Sequence, residues 1–228
     1  MAPDSEQLDA RTTASALAAI TEKIEIIAAV KPEFRSAGII TKMASNIDAI
    51  SQGRFAINLV SAWWLRESEM LGVPVLPHDE RYARSEEFLT VNQQSWLQNE
   101  FRFSGKCFSV NQTHLVPKPV QQPHPLIYIV GESVQGRNFG VKMADTFLIS
   151  GSPLTEAKEV VMLKSVPYAK AQVGTNGGIH AGLVGTPEQI AERMRVFEAV
   201  GIETFLLQFH PVKEELERFG KEVMPLLN

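Results

Sequence analysis

The alternation of two kinds of apolar pattern is the feature that most constrains the fold of this chain. Short apolar runs, too short for helices, alternate with longer stretches in which apolar residues recur at helical intervals. Such alternation builds parallel sheets, because each strand is followed by a helix that carries the chain back across the sheet. The pattern therefore predicts an α/β fold. The core strands are expected at 24–30, 55–60, 126–130, 146–150 and 204–208, with a less regular sixth run at 181–184.

Helices and turns are predicted between these runs. A helical pattern follows Pro32, and Gly53 stands where a left-handed C-terminal cap is wanted. Thr186 and Gln189 have capping-box spacing around a proline at the first helical position. The prolines of 118–125 exclude a helix or a central strand there. Further helices are expected at about 79–97, 134–143, 155–171 and 212–227, and a small hairpin at 101–110.

Length and composition fit one domain spanning residues 1–228, with 44% apolar residues and enough chain for one core. The net charge of -4 and the scattered Lys and Arg residues argue against a nucleic-acid partner. No apolar run is long enough to span a membrane, which favours a cytoplasmic location. Cys107 is the only cysteine, and the five histidines show no pair at metal-ligand spacing, so no metal site is predicted.

Periodicity alone does not separate a doubly wound sheet from a TIM barrel, since both contain buried parallel strands with helical crossovers. Several motifs in order make the distinction. They are NLVSAWW at 58–64 with Glu67 after it, HDERY at 78–82, KP at 118–119, YIVGES at 128–133, GLVGTPE at 182–188 and GIETF at 201–205. With these motifs the chain resembles the bacterial luciferase-like flavin-dependent monooxygenases, and within that family the FMNH2-dependent dimethyl sulfone and alkanesulfonate enzymes.

The resemblance implies a TIM-barrel-like fold with FMN at the carboxyl ends of the strands. The chain departs from the family's pattern in two places. The chain has only a helix's worth of residues before Ile24, where the family has its first two strands, and it is short between 166 and 180. An incomplete barrel is therefore expected. Exposed strand edges would then favour a homodimer or higher homo-oligomer. The family's substrate-facing residues lie in the shortened parts, so no catalytic acid or base is named.

Five residues are predicted to bind FMN. Asn58 interrupts an apolar strand, and its amide needs partners that the flavin ring could provide. Ser133 opens a helix, where its hydroxyl and the helix N-terminus would favour the phosphate, although a plain N-cap would have the same sequence. Arg81 could bind the phosphate and Tyr82 could pack on the cofactor. Glu67 matches an acidic residue that contacts FMN in the pyrimidine-ring monooxygenases, which are more distant members of the family. The alternative role for Glu67 is a solvated carboxylate in a loop.

The resemblance leaves two main functions open. In the first, an NAD(P)H-dependent flavin reductase supplies FMNH2, and the protein uses O2 to oxygenate a small sulfone or alkanesulfonate. The protein's part would be to bind, orient and dry the cofactor. In the second, the protein binds FMN without catalysis, as a shortened flavoprotein relative of the luciferases does. A degenerate product that binds no flavin is a third alternative.

Overall fold

The structure, a computed structural model, describes residues 8–61, 64–131, 133–150, 170–174, 183, 185–207 and 212–227. The chain divides into two compact units, Met1–Ile129 and Val130–Asn228. Each unit combines parallel strands with helices, so the predicted α/β class is confirmed. The single-domain organisation of 1–228 stays a prediction.

The first unit contains a parallel sheet, a separate hairpin and helices. The helices are α1 (Ala10–Ile20), α2 (Ala37–Ser51), α3 (Leu65–Met70) and α4 (His78–Leu97), with a short 3-10 helix at Pro32–Phe34. The strands are β1 (Ile26–Val30), β2 (Phe55–Leu59), β3 (Phe101–Ser104), β4 (Ser109–Thr113) and β5 (Leu126–Val130). The hairpin β3–β4 and the strands β1, β2 and β5 confirm the prediction, with β1 starting two residues late, β2 ending one residue early and the hairpin ending three residues beyond its predicted end. Helix α3 was not predicted.

Strand β2 lies between β1 and β5, and both pairings are parallel. Ile57, Leu59 and Ile127 are fully buried, as expected for strands covered on both faces. In the register, Asn58 lies beside Ala29 of β1 and Tyr128 of β5. The carboxyl ends of these strands therefore meet at one edge of the sheet.

Helix α2 ends with two residues in the left-handed region, Gln52 with φ 58° and Gly53 with φ 85°. The predicted cap at Gly53 is thus correct in kind, although Gln52 is itself the C-cap residue. Ile39 and Ile50, which belong to the helical pattern after Pro32, are 61% and 49% exposed. Polar residues take their place on the buried face. These are Thr41, Ser45, Asp48 and Ser51.

A polar network joins α2 to α4. The Asn92 side-chain amide donates to the Ala37 carbonyl at 3.0 Å and to the Thr41 hydroxyl at 2.8 Å. The Trp96 indole N–H donates to the Thr41 carbonyl at 3.2 Å and to the Ser45 hydroxyl at 3.1 Å. All four side chains are at most 3% exposed. The N–H donors of this network are thus satisfied, whereas the buried Asn92 Oδ1 accepts no hydrogen bond from the described residues.

Two further polar anchors hold irregular segments of the first unit. The buried Asp48 carboxylate accepts from the backbone N–H groups of Val120 and Gln121, which lie in the predicted proline-rich segment. The Glu87 carboxylate accepts from Lys106 N at 2.8 Å and from the next two backbone N–H groups of the hairpin turn, at 2.8 and 3.0 Å. Cys107 lies in this turn and is half-buried.

The second unit contains β6 (Thr146–Ser150), β7 (Lys170–Gly174) and β8 (Ile202–Leu206), paired in parallel in that order. Its helices are α5 (Val134–Met143), α6 (Pro187–Glu198), α7 (Val212–Glu222) and α8 (Met224–Leu227). Strand β6 and α5 match the prediction, and the capping box of α6 is present with both hydrogen bonds.

Three predictions in the second unit need correction. The predicted helix at 155–171 was wrong at its end, because 170 and 171 belong to β7; its other residues lie outside the described part. The last strand runs over Ile202–Leu206, two residues earlier than predicted. The terminal helix is divided into α7 and α8. The irregular run at 181–184 lies outside the described residues apart from Leu183.

Over the described residues, no helix combines the length and the apolar character that crossing a bilayer would require.

Candidate functional site

The candidate site in the first unit lies at the carboxyl ends of β1 and β2. The ladder between these strands continues past their ends, since Val60 N–H donates to the Val30 carbonyl at 3.0 Å. Lys31 follows β1 directly, and Asn58 is the penultimate residue of β2. Polar side chains at this edge are held by the parallel sheet. The carboxyl ends of parallel strands are also where α/β folds place their binding sites.

Asn58 carries an unsatisfied group. Its two strand neighbours, Ile57 and Leu59, are fully buried, whereas Asn58 is half-buried. The Asn58 Oδ1 atom is itself buried and accepts no hydrogen bond from the described residues. An unsatisfied buried carbonyl costs about 1 to 3 kcal/mol, so its presence favours a ligand that donates to it.

Glu67 lies in the first turn of α3, so its predicted place in a loop was wrong. Its carboxylate forms an ion pair with Lys31. The two side chains are 18% and 16% exposed. Glu67 is therefore not a solvated charge, although its contact with a flavin stays a prediction.

Arg81 and Tyr82 are the fourth and fifth residues of α4. Arg81 N–H donates to the Pro77 carbonyl at 3.1 Å, and the Arg81 Nε atom is buried. Tyr82 is half-buried, and its ring packs edge-on against His78 at 5.1 Å between centroids. Both side chains thus lie near the amino end of a helix, where the macrodipole favours anions.

In the second unit, Ser133 is the N-cap of α5. Its Oγ accepts a hydrogen bond from Gly136 N–H at 3.0 Å. The turn before the helix is tight, since a Cβ on Gly131 would lie 2.9 Å from the Gly136 Cα. Glycine is required at this close approach between backbones. The capping role predicted as the alternative is therefore present, and the phosphate role stays a prediction.

Sequence reasoning missed several residues at the carboxyl ends of β1 and β2. Arg84 donates from Nε to the Pro32 carbonyl at 3.3 Å, and its guanidinium lies over the Phe108 ring at 4.6 Å. The Ser61 and Ser85 hydroxyls are 2.8 Å apart. Ser61 belongs to the NLVSAWW motif but was given no role, and Arg84 and Ser85 lie outside the quoted motifs. Their contacts could not be predicted because their partners lie far away along the chain. Lys31 and Pro32 follow the apolar run of β1 directly, and this position is the one sequence signal that could have indicated them.

Among the described residues, the groups with shifted pKa values make contacts that stabilise helix ends and turns. The Arg11 side chain, which donates to Asp9 at the N-cap of α1, lowers the pKa of that carboxyl to about 2. Desolvation lowers the pKa of Lys118, whose Nζ donates to the Ser95 and Gln98 carbonyls at the end of α4. In the described part, no group of three or more His, Cys, Asp or Glu side chains could hold a metal ion. The arrangement at the strand ends is suited to binding and orienting a polar ring.

Comparisons with known proteins identify similar chains. The family model described as luciferase-like monooxygenase matches residues 1–175. The FMNH(2)-dependent dimethylsulfone monooxygenase of Pseudomonas putida is 30% identical in an alignment that covers 97% of this chain and 79% of that protein. The enzyme of the same description from Pseudomonas fluorescens (strain Pf0-1) is 28% identical, over 93% of this chain and 76% of its own length.

A solved structure supports the fold. A riboflavin lyase, crystallised with modified FMN and riboflavin, superposes with a TM-score of 0.84 at 17% identity, over 98% of this chain and 74% of its own. The α/β, TIM-barrel-type fold predicted from the motifs is confirmed by these likenesses. The incomplete barrel stays a prediction.

Proposed function

The chain belongs to the luciferase-like monooxygenase family, and on that premise we propose that it is an oxidoreductase that uses FMNH2 and O2 to oxygenate a small organosulfur compound. The family membership supports the monooxygenase reaction and the flavin. The names of the two bacterial relatives support a sulfone as the substrate class. An alkanesulfonate is the alternative that the assay below distinguishes.

The observation that carries the proposal is the unsatisfied Asn58 Oδ1 atom. Reduced flavin presents ring N–H donors, which match a buried carbonyl oxygen that accepts no hydrogen bond within the described protein. The strand around Asn58 is apolar and fully buried, so a hydrogen bond made there is shielded from water. The residues present thus fit the ring of a reduced flavin.

The remaining predicted residues are assigned roles of the same kind. We assign the phosphate to the amino end of α5 with Ser133, where the N–H groups of the first turn and the helix dipole favour an anion. Arg81 would add charge-assisted hydrogen bonds to an anion, and Tyr82 would pack against the cofactor. Glu67 would accept a hydrogen bond from the flavin with the oxygen that does not contact Lys31.

The proposed reaction balances for dimethyl sulfone. FMNH2, when bound, supplies the two electrons with which O2 is activated. One oxygen atom enters a C–H bond of a methyl group, and the other leaves as water. The hydroxymethyl sulfone then breaks at its C–S bond into methanesulfinate and formaldehyde. The protein's contribution is to bind, orient and exclude water, which strengthens every polar contact inside the site.

Two kinds of partner follow from this proposal. A separate NAD(P)H-dependent flavin reductase would supply FMNH2, since the proposed reaction consumes one reduced flavin per turnover. A second copy of the chain is proposed as a homodimer partner, because open strand edges are otherwise prone to aggregation.

The proposal is tested with the purified protein, a flavin reductase, NADH, FMN and either dimethyl sulfone or a series of alkanesulfonates. Methanesulfinate and formaldehyde in equal amounts support the sulfone reaction, whereas sulfite release supports the sulfonate reaction. If the protein binds FMNH2 tightly but forms none of these products, the non-catalytic flavin-binding function replaces the enzyme.

A variant pair tests the role of Asn58 directly. Asn58→Ala should weaken FMNH2 binding by about 1 to 3 kcal/mol, because it removes the buried acceptor. Asn111→Ala is the matched control, since Asn111 is exposed on β4. Equal affinities of the two variants for FMNH2 would contradict the assignment of Asn58.

A further inference from the structure

Lys31 and Glu67 form an ion pair between the segments that follow β1 and β2. Their side chains are 16% and 18% exposed. In contrast, the side chains of the Lys106–Glu80 pair are 76% and 48% exposed, with 3.5 Å between Nζ and Oε2. Water screens an exposed pair far more than a half-buried one. The Lys31–Glu67 pair is therefore the one expected to hold two segments together.

Helix α3 has few other sources of order. It has six residues, and its N-cap makes no side-chain hydrogen bond. Among its residues only Ser68 is buried, while Leu65 and Met70 are 47% and 66% exposed. A helix of this length is not stable by itself in water and needs tertiary contacts. The contact from Glu67 to Lys31 is thus a principal determinant of where α3 lies.

We propose that Lys31 is a positioning residue for flavin binding, because it holds Glu67 and with it α3 beyond the carboxyl end of β2. Lys31 contacts Oε2 of Glu67, which leaves Oε1 to accept a hydrogen bond from a ligand. The Lys31 ammonium also lies over the Phe34 ring at 5.8 Å, which restricts where it can move. The inference rests on the proposed function, since it takes Glu67 as a flavin contact.

Hydrogen exchange in the absence of flavin tests the positioning step by itself. Leu71 N–H donates to the Glu67 carbonyl at 3.0 Å and Val73 N–H to the Ser68 carbonyl at 2.9 Å, so peptides covering 64–73 report on α3. Lys31→Gln and Glu67→Gln should each raise exchange there by about tenfold, and the double variant by no more than either single one. Lys106→Gln is the matched control and should leave exchange unchanged.

Titration of the same variants with FMNH2 under anaerobic conditions tests the functional step. Lys31→Gln should raise the dissociation constant by about tenfold. Lys31→Arg should keep wild-type affinity, because it keeps the charge. The exchanged pair Lys31→Glu with Glu67→Lys should restore the protection of α3 but not the affinity, since it removes the carboxylate that faces the flavin.

The outcomes are distinguishable. Unchanged exchange in Lys31→Gln overturns the positioning role, and faster exchange with unchanged FMNH2 affinity overturns its link to flavin binding. If the wild-type protein binds no FMNH2, the proposed function fails together with the flavin step. The exchange rates then still decide whether Lys31 holds α3.

Discussion

Replacement of Asp48 by alanine should destabilise the folded first unit by about 2 to 4 kcal/mol. The Asp48 side chain is 0% exposed. Its Oδ2 accepts from the backbone N–H groups of Val120 at 2.6 Å and Gln121 at 3.0 Å, and its Oδ1 accepts from the Gln121 side-chain amide at 2.6 Å. Alanine leaves these three donors without this acceptor, and each unsatisfied buried donor costs about 1 to 3 kcal/mol. The three costs would add to about 3 to 9 kcal/mol. The expected loss lies at and below the lower end of that range because Val120 is 56% exposed, so water can reach its vicinity, and because the Gln121 side-chain amide also donates to the Phe55 carbonyl at 2.6 Å.

Urea unfolding followed by tryptophan fluorescence measures this change. Trp96 lies 5.9 Å from the His124 ring, between ring centroids, so its emission reports on the segment that Asp48 anchors. Asp48→Asn keeps one acceptor oxygen and should lose less free energy of unfolding than Asp48→Ala. Asp79→Ala is the control, since the Asp79 side chain is 78% exposed and its removal should cost less than about 1 kcal/mol. A loss below about 0.5 kcal/mol in Asp48→Ala would refute the reasoning.

Three further predictions concern a pH dependence, a close contact and the phosphate. Burial raises the pKa of Glu87, but the three backbone N–H donors of the hairpin turn outweigh this effect and bring the pKa below 4.5. The Glu87 carboxylate therefore stabilises the fold above pH 4.5, and this stabilisation is lost as the pH falls through the lowered pKa. Melting temperatures between pH 7 and pH 3 should therefore fall less steeply in Glu87→Gln than in the wild type, and parallel curves would contradict this. Gly140→Ala should lower the melting temperature, because the new Cβ would lie 2.1 Å from the Phe147 ring; an unchanged value would mean that the ring moves freely. Ser133→Ala and Arg81→Ala should each weaken FMNH2 binding by about 1 to 3 kcal/mol in fluorescence titrations, and unchanged curves for both would place the phosphate elsewhere.

The sequence predicted those elements whose boundaries are chemically marked. Strand β5 follows Pro125 and precedes Gly131, and its predicted bounds agree with the structure. Strand β8 was predicted two residues late because the apolar run continues beyond its end. Strand β7 was missed because Lys170, Gln172 and Gly174 interrupt its apolar character. Local composition therefore predicts a strand well only when the apolar run and the flanking proline or glycine residues mark the same ends.

The candidate site was predictable where a residue contradicts its surroundings. Asn58 was found because an amide within an apolar strand is costly. The pairing of Glu67 with Lys31 was not predictable, since it depends on the register of β1 on β2 and on a helix too short to leave a periodic pattern. Contacts of this kind depend on how the two strands pair in the sheet, and the local sequence around neither residue indicates them.

The hydrogen-bonded network between α2 and α4 limits how this protein can evolve. Thr41, Ser45, Asn92 and Trp96 share donors and acceptors, so a change at any one of them removes a hydrogen-bond partner of another. Single substitutions there should be selected against even where an apolar residue of equal volume would fit. Divergence at this helix interface is therefore expected to proceed by coordinated replacement of the whole set.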